Sequence, residues 1–185
     1  MICGLDEAGR GPLAGPVTAG AVVLPPDFPV ELLNDSKQLS PRKRERLYDL
    51  IRKEALACAT VFISPEEIDR INILQASLKA MALAFEEIRR RLPHVGEWEC
   101  LADGNRIPPV GVPCRAIVKG DTLVPEIMAA SILAKVERDR YMCEMDKLYP
   151  AYGFARHKGY PTEAHRDVCR RIGLSPTHRR SFRID

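Results

Sequence analysis

The stretch that decides the fold is Gly4-Leu5-Asp6-Glu7-Ala8-Gly9-Arg10-Gly11-Pro12-Leu13-Ala14-Gly15-Pro16. Met1 to Leu5 reads as a short apolar strand, with two carboxylates at its end. Gly-Arg-Gly then forms a turn flexible enough for backbone to approach a ligand closely. Adjacent residues on a strand point to opposite faces. Asp6 and Glu7 therefore reach one site together only if the chain bends, or if Glu7 contributes its carbonyl. Carboxylates massed at a strand end repel one another. A hard cation with oxygen ligands, Mg2+ or Mn2+, removes that repulsion. A solvated Asp-Glu pair in a turn is the alternative, and the flanking glycines and arginine count against it.

Working outward, the chain has 185 residues, which suits one domain. A chain of that size buries roughly two thirds of its unfolded surface. Its 45% hydrophobic and 29% charged residues are those of a soluble globular protein. No run approaches the ~18 apolar residues of a membrane span. No basic segment precedes an apolar one at the N-terminus, so no signal peptide is expected. The cysteines at 3, 58, 100, 114, 143 and 169 form no Cys-x-x-Cys, which disfavours zinc and thioredoxin-like readings. Reduced thiols and a cytoplasmic location are the expectation.

The net charge of +3 is unevenly spread. Residues 135–185 hold 12 Lys/Arg against 7 Asp/Glu, a surplus of +5, whereas the remainder is at −2. A basic C-terminal third beside an acidic cluster suits a polyanion gripped next to a metal site. Charge alone equally fits a solvated surface.

In chain order, Val17 to Leu24 reads as a second strand, hairpin-paired with the first and ended by Pro25-Pro26. Asn34-Asp35-Ser36-Lys37 is a polar turn. Ser40 caps a helix with Pro41 at its first position, running to about Ala55. Leu56 to Ile63 is a third strand. Ser64-Pro65-Glu66-Glu67 has capping-box spacing and starts another helix. A long helical pattern follows from Ile73 to Leu92. Trp98 to Ala102 is a fourth strand that delivers Asp103. Cys114 to Val118 is a fifth, followed by Lys119-Gly120-Asp121. A helix is expected from about Pro125 to Lys147, then a loop from Tyr149 to Pro161, and a short helix capped by Thr162. This order gives an α/β fold, a mixed five-stranded sheet flanked by helices with a helical C-terminal part.

Asp6, Glu7, Asp103 and Asp121 all stand at strand ends or helix starts, where ligands gather in α/β sheets. Four carboxylates on one site can hold two divalent ions, and two ions about 4 Å apart suit an in-line displacement at phosphorus. No serine-histidine or cysteine-histidine nucleophile pattern competes. The histidines at 94, 157, 165 and 178 lack the i, i+4 spacing of a zinc helix and read as phosphate contacts or surface residues.

The opening stretch resembles the signature of ribonuclease HII, the type 2 ribonuclease H, in its bacterial form. The resemblance continues in family order through Asp35-Ser36-Lys37, Asp69-Arg70-Ile71-Asn72-Ile73-Leu74-Gln75-Ala76 and Asp103-Gly104-Asn105. It extends through Lys119-Gly120-Asp121, Ala129-Ala130-Ser131-Ile132-Leu133-Ala134-Lys135-Val136 with Arg138-Asp139, and Tyr152-Gly153-Phe154. His157-Lys158-Gly159-Tyr160-Pro161-Thr162 and His178-Arg179-Arg180-Ser181-Phe182 complete the set. One such motif is weak; the ordered set spans nearly the whole chain. Small departures are Met128, where a small residue is common, and Thr122, where Ala or Ser is common.

The resemblance implies a ribonuclease H-like fold in one catalytic domain, residues 1–185, with 148–185 a basic substrate-binding part. It implies an endonuclease that cuts the RNA strand of RNA/DNA hybrids. It also implies cleavage 5′ of a single ribonucleotide embedded in duplex DNA, leaving a 3′-hydroxyl and a 5′-phosphate, as in ribonucleotide and RNA-primer removal. Two Mg2+ or Mn2+ ions would sit on Asp6, Glu7, Asp103 and Asp121. By the same resemblance, Gly9-Arg10-Gly11 reads the ribonucleotide 2′-hydroxyl, which distinguishes RNA from DNA. Tyr160 contacts the sugar at the RNA-to-DNA junction.

Lys37, Lys135, His157 and Lys158 are plausible phosphate contacts, and Ser131 and Lys135, one helical turn apart, could share one phosphate. Solvated lysine fits Lys135 and Lys158 equally well. For Asp139, far inside its helix, a helix-surface or structural role is expected rather than a catalytic one. A monomer is expected. Neither the added N-terminal domain of the type 3 enzyme nor a long partner-docking tail after Phe182 is expected.

Two other classes compete. A Holliday-junction resolvase on the same fold would share the carboxylates but has no need of Gly9-Arg10-Gly11 with Tyr160. A non-catalytic nucleic-acid-binding module leaves four clustered acids unexplained, because carboxylates repel phosphate.

Overall fold

The computed structural model describes residues 1–33 and 40–184. The expected turn at Asn34-Asp35-Ser36-Lys37, and with it Lys37, lies outside the described residues. Among the described residues, five strands form one sheet: β1 (Ile2–Ala8), β2 (Val17–Val23), β3 (Ala57–Ile63), β4 (Glu99–Asp103) and β5 (Cys114–Ile117). Their spatial order is β3-β2-β1-β4-β5. The first hairpin and its extension to β3 are antiparallel, while β1, β4 and β5 run parallel. The mixed sheet expected from the sequence is therefore present, flanked by helices on both faces.

Helices form where the caps direct. Helix α1 (Pro41–Glu54) begins with Ser40 Oγ accepting the Lys43 amide, and Pro41 fills the first helical position. Helix α2 (Pro65–Ile71) starts with Ser64 Oγ accepting from the Glu67 amide. The Glu67 carboxylate does not close the expected box; it binds Arg70 and Lys79, so it ties α2 to the next helix. Asn72, at φ 69°, turns the chain and caps α3 (Ile73–Arg91) through Gln75.

One face of the sheet packs against α3, where Ala76, Ala80, Met81, Ala84, Phe85 and Ile88 meet the inward residues of the strands. The other face is covered by α4 (Pro125–Leu148), with α1 beside it. The sheet lets α4 come unusually close at two glycines. A Cβ on Gly4 would stand 2.1 Å from the Glu126 carbonyl carbon, and one on Gly20 would stand 2.3 Å from the Ala130 oxygen. No side chain fits between the layers there. This crossing brings the following turns of α4, which carry Ser131, Lys135 and Arg138, to the carboxylate end of β1.

The region after α4 was expected to be a loop from Tyr149 to Pro161. It contains a 3-10 turn at Pro150–Tyr152 and a one-turn helix α5 (Phe154–His157), then α6 (Glu163–Ile172) capped by Thr162. Tyr152, Phe154 and Cys169 build a separate small core with Ala14 and Met142. Among the described residues, no helix is long and apolar enough to cross a membrane.

Candidate active site

β1 does not stop before its carboxylates. It continues through Asp6 and Glu7 to Ala8, paired with β2 as Asp6↔Gly20, Glu7↔Ala19 and Ala8↔Thr18. On its other side the parallel ladder with β4 ends at Leu5↔Ala102. Asp6 is therefore in a strand yet just past the end of the neighbouring ladder. β4 ends on Asp103, and a 3-10 turn at Gly120–Thr122 after β5 carries Asp121. The Asp121 amide donates to Asp103 Oδ1 at 3.2 Å, which locks the two segments together.

Asp6, Asp103 and Asp121 converge: one carboxylate oxygen from each lies within 4.8 Å of the others. Glu7, the next residue on the strand, is not in that set but borders the same cleft. The alternation of strand side chains produces this division. Asp6 is only 4% exposed. Burial pushes its carboxyl well above the usual range, and the charges of Glu7 and Asp103 push it further; the Ser131 hydroxyl and the Glu7 amide oppose this. Burial also raises Glu7, against the pull of the Arg10 guanidinium 3.3 Å from its Oε1. Glu7 Oε2 is buried and accepts no hydrogen bond from a described residue. Buried, mutually repelling carboxylates with an unsatisfied oxygen are the donor set of a hard divalent cation.

Beside the carboxylates lies a cleft of about 440 Å³, lined by Glu7, Gly9, Arg10, Gly11, Asp121, Ser131, Lys135 and Tyr160 among others. Gly9 has φ +94°, and a Cβ there would stand 2.0 Å from Arg138 Nε, so only glycine fits. Tyr160 is 41% exposed, and its ring edge lies 3.8 Å from where a Gly11 Cβ would be. Lys135 Nζ sits 5.8 Å from the Tyr160 ring centroid and pairs with Asp139 at 2.7 Å.

Other expected contacts sit differently. Ser131 turns its hydroxyl to Asp6 as well as lining the cleft. The His157 ring is engaged at both nitrogens, Nε2 with the Tyr152 carbonyl at 2.8 Å and Nδ1 with the Gly159 amide at 3.2 Å. The Lys158 amine donates to the Ala155 carbonyl and approaches Cys143 Sγ at 3.4 Å, so it folds onto its own loop. The surface reading of the histidines is corrected for His165 and His178, which are buried in the small core. Their aromatic neighbours Tyr152 and Phe154 draw them in.

Two residues that shape the site were not assigned a role from the sequence. Arg138 and Arg179 are each 1% exposed. Arg138 donates from Nε to Pro16, from Nη1 to Lys158 and from Nη2 to Ala14, all carbonyls at 2.9–3.0 Å. Arg179 donates to the carbonyls of Gly15, Arg10 and Gly9 at 2.9, 3.0 and 2.6 Å. Among the described residues, no carboxylate forms an ion pair with either. Burial lowers both guanidinium pKa values, and in Arg179 the charge of Arg138 adds to this, bringing it to about 9. The backbone of the Gly9–Pro16 segment is thus fixed by charge-assisted bonds from beneath. The signal was available for Arg138: it continues the apolar stripe Ala130, Ala134, Arg138, Met142 at i+4 spacing.

Comparison with known proteins gives a consistent result. The family model described as Ribonuclease HII matches residues 3–184. A protein named Ribonuclease HII from Polynucleobacter asymbioticus is 53% identical over 183 residues, covering 98% of this chain and 92% of the relative. Among solved structures, ribonuclease H2 from Pyrococcus horikoshii superposes with a TM-score of 0.79 at 26% identity, covering 99% of this chain and 94% of that one. Bst-RNase HIII, solved in complex with Mn2+, superposes with a TM-score of 0.72 at 17% identity over 93% of this chain and 62% of its own. That last likeness concerns the fold.

Proposed function

The chain belongs to the ribonuclease HII family, and on that footing we propose an endoribonuclease that recognises a ribose-to-deoxyribose step. It would cut the RNA strand of RNA/DNA hybrids and the strand 5′ of a single ribonucleotide embedded in duplex DNA, leaving a 3′-hydroxyl and a 5′-phosphate. That the protein is a ribonuclease H, a hydrolase, follows from the family itself. The observation that carries the finer reading is that the cleft lined by Gly9-Arg10-Gly11 and Tyr160 is also lined by Glu7 and by Asp121, a member of the three-aspartate cluster.

Each part has a physical task. Asp6, Asp103 and Asp121, with Glu7 beside them, would hold divalent cations, two Mg2+ or Mn2+, whose chemistry when bound is to acidify an attacking water and neutralise a leaving oxygen. Ser131 orients the Asp6 carboxylate. Gly9 and Gly11, lacking side chains, leave the backbone open to the 2′-hydroxyl, and Arg138 and Arg179 hold that backbone still. The Tyr160 ring packs on a sugar face where a 2′-hydroxyl would crowd it. Lys135 stands where it can reach a phosphate, with Lys37, His157 and Lys158 as further candidates for contact with the backbone. The basic segment 148–185 contributes the grip on the polyanion. Such an enzyme serves the removal of ribonucleotides from DNA and of RNA primers.

The test is a duplex with one embedded ribonucleotide, incubated with Mg2+ or Mn2+ and then with EDTA. Cleavage should stop in EDTA and recover on adding the ion. Asp6→Asn and Asp121→Asn should each lose most of the rate while the protein still melts cooperatively. Full activity in EDTA would sink the metal-dependent reading.

A further inference from the structure

In the small core beside Tyr160, two histidine rings lie 5.1 Å apart, tilted at 45° to one another. His165 lies in the first turn of α6 and is fully buried; His178 lies in the segment after α6 and is 3% exposed. Their contacts form one line. The Ser175 amide lies 3.0 Å from His178 Nδ1. His178 Nε2 lies 3.0 Å from His165 Nε2. His165 Nδ1 lies 2.9 Å from the Tyr160 carbonyl oxygen.

The two ends of this line are backbone groups whose roles cannot change. An amide N–H only donates, so His178 Nδ1 is an acceptor and the hydrogen of that ring is on Nε2. That hydrogen points at His165 Nε2, which therefore accepts. The hydrogen of His165 is then on Nδ1, aimed at a carbonyl oxygen that only accepts. One arrangement of protons satisfies every group, with both rings neutral. The Ser175 hydroxyl, 2.8 Å from His178 Nδ1, is compatible as a second donor.

The far end of the line is the residue that the proposed function asks to measure a sugar. The Tyr160 carbonyl also accepts from the Thr162 amide at 2.8 Å, and the Tyr160 amide donates to the His157 carbonyl at 2.9 Å. The preceding carbonyl, of Gly159, accepts from Leu13 at 2.8 Å. The backbone of the loop is thus held by four hydrogen bonds, and the one from His165 comes from the core. The His157 ring stacks on His165 at 4.3 Å and 17°, which fixes the plane in which His165 donates.

We propose that His165 and His178 are positioning residues for Tyr160: a directional hydrogen-bond chain from the Ser175 amide to the Tyr160 carbonyl holds the tyrosine ring against Gly11 and thereby sets the preference for a ribose-to-deoxyribose step. The inference rests on the proposed function for its substrate and on geometry for its chain. Cys169 Sγ lies 3.2 Å from His178 Nε2, so His165, Cys169 and His178 also bring three potential metal ligands within reach of one another. The chain of donors counts against a metal there, because His178 Nε2 already bears a hydrogen.

The experiment compares His165→Leu, which removes the donor at similar volume, with His165→Asn, whose side-chain amide can stand where Nδ1–H stood. The readout is the ratio of kcat/KM on a single embedded ribonucleotide to kcat/KM on a continuous RNA strand in a hybrid. His165→Leu should lower that ratio roughly tenfold, the effect of one lost buried hydrogen bond. His165→Asn should restore most of it. Both variants should keep the wild-type dependence on Mg2+ concentration. If both variants melt at a lower temperature but keep the wild-type ratio, the histidines only fill the core and the proposal is wrong. Nitrogen-15 NMR of the wild-type histidines tests the chain without any substrate: His178 should carry its hydrogen on Nε2 and His165 on Nδ1, and the reverse pattern in either ring overturns it. Stoichiometric zinc bound by the wild type and lost in Cys169→Ala would also overturn it, in favour of a metal site. Failure of the wild type to cut the embedded ribonucleotide would contradict the proposed function, while the NMR pattern would still decide the chain.

Discussion

At the scale of single residues, the site depends on groups held in states they would not adopt in water. Tyr160 is a partly exposed aromatic whose backbone is fixed on several sides. Tyr160→Ala should slow cleavage of a single embedded ribonucleotide far more than cleavage within a long hybrid, with calorimetric Mg2+ affinity unchanged because no carboxylate is touched. A uniform loss on both substrates would instead make Tyr160 a packing residue. His178 offers a second measurement. Burial above all, with the repulsion that a second proton would meet beside His165, lowers its pKa from 6.5 to about 4. The fold therefore favours the neutral ring, so its stabilisation is complete above 6.5 and is lost as pH falls towards 4. The groups packed on it are His165, Cys169, Tyr152 and Ser175; none is a carboxylate, and His165, whose own pKa burial lowers from 6.5, and the nearby His157 titrate in the same sense. Of the pH dependence that urea unfolding shows over that interval, His178 should contribute a fall of about 3 kcal/mol, and His178→Leu should make the slope shallower by that amount. An unchanged slope in the variant would assign the acid sensitivity elsewhere.

At the scale of elements, the local signals were legible and the register was not. Ser40-Pro41, Ser64-Pro65 and Thr162 mark helix starts through short-range hydrogen bonds that the sequence encodes directly. Asp103 and Asp121 could be placed at the ends of β4 and β5 for the same reason: a Gly follows Asp103 and precedes Asp121. The end of β1 was different. Nothing local says that antiparallel pairing with β2 continues three residues beyond the parallel pairing with β4, since that offset is fixed by tertiary packing. The buried arginines were hidden for another reason. Arg138 and Arg179 count as surface charge in any composition, and only the folded chain shows that they serve the carbonyls of the Gly9–Pro16 segment. The same applies to His165 and His178, which look polar one by one and become core only together.

The element that most constrains the site is α4, which rests on β1 and β2 at Gly4 and Gly20. Gly20→Val should cost about 3 kcal/mol or more, because the added atoms meet the Ala130 carbonyl, which belongs to a helix backbone and cannot step aside. Gly96→Ala, at a position with nothing within 4 Å, should stay within about 0.5 kcal/mol of wild type. Thermal or urea unfolding of the two variants checks this. Equal stabilities would mean that α4 is free to shift on the sheet and does not fix the distance between Ser131 and Asp6.

At the scale of the whole molecule, the charge distribution acquires a meaning the totals did not have. Of the basic residues in the C-terminal third, Arg138 and Arg179 are internal, and Arg170 pairs with Glu163 and Asp167. The grip on a polyanion therefore falls on fewer groups than the surplus of +5 suggests. The logarithm of affinity for duplex should fall linearly with the logarithm of salt, with a slope near −0.9 for each phosphate neutralised. Lys135→Ala should reduce the slope by about one contact. An unchanged slope would leave Lys135 as a partner of Asp139 alone.

The central claim is that one cleft joins a cation-binding carboxylate cluster to a reader of the ribose-to-deoxyribose step. Mapping the cut tests it most directly. An end-labelled DNA duplex containing one ribonucleotide, incubated with the protein and Mg2+ or Mn2+, should be cut at a single bond immediately 5′ of that ribonucleotide. The products should carry a 3′-hydroxyl and a 5′-phosphate, and the same duplex with deoxyribose at that position should remain intact. Cleavage of the all-DNA duplex, or a cut on the 3′ side of the ribonucleotide, would contradict the account.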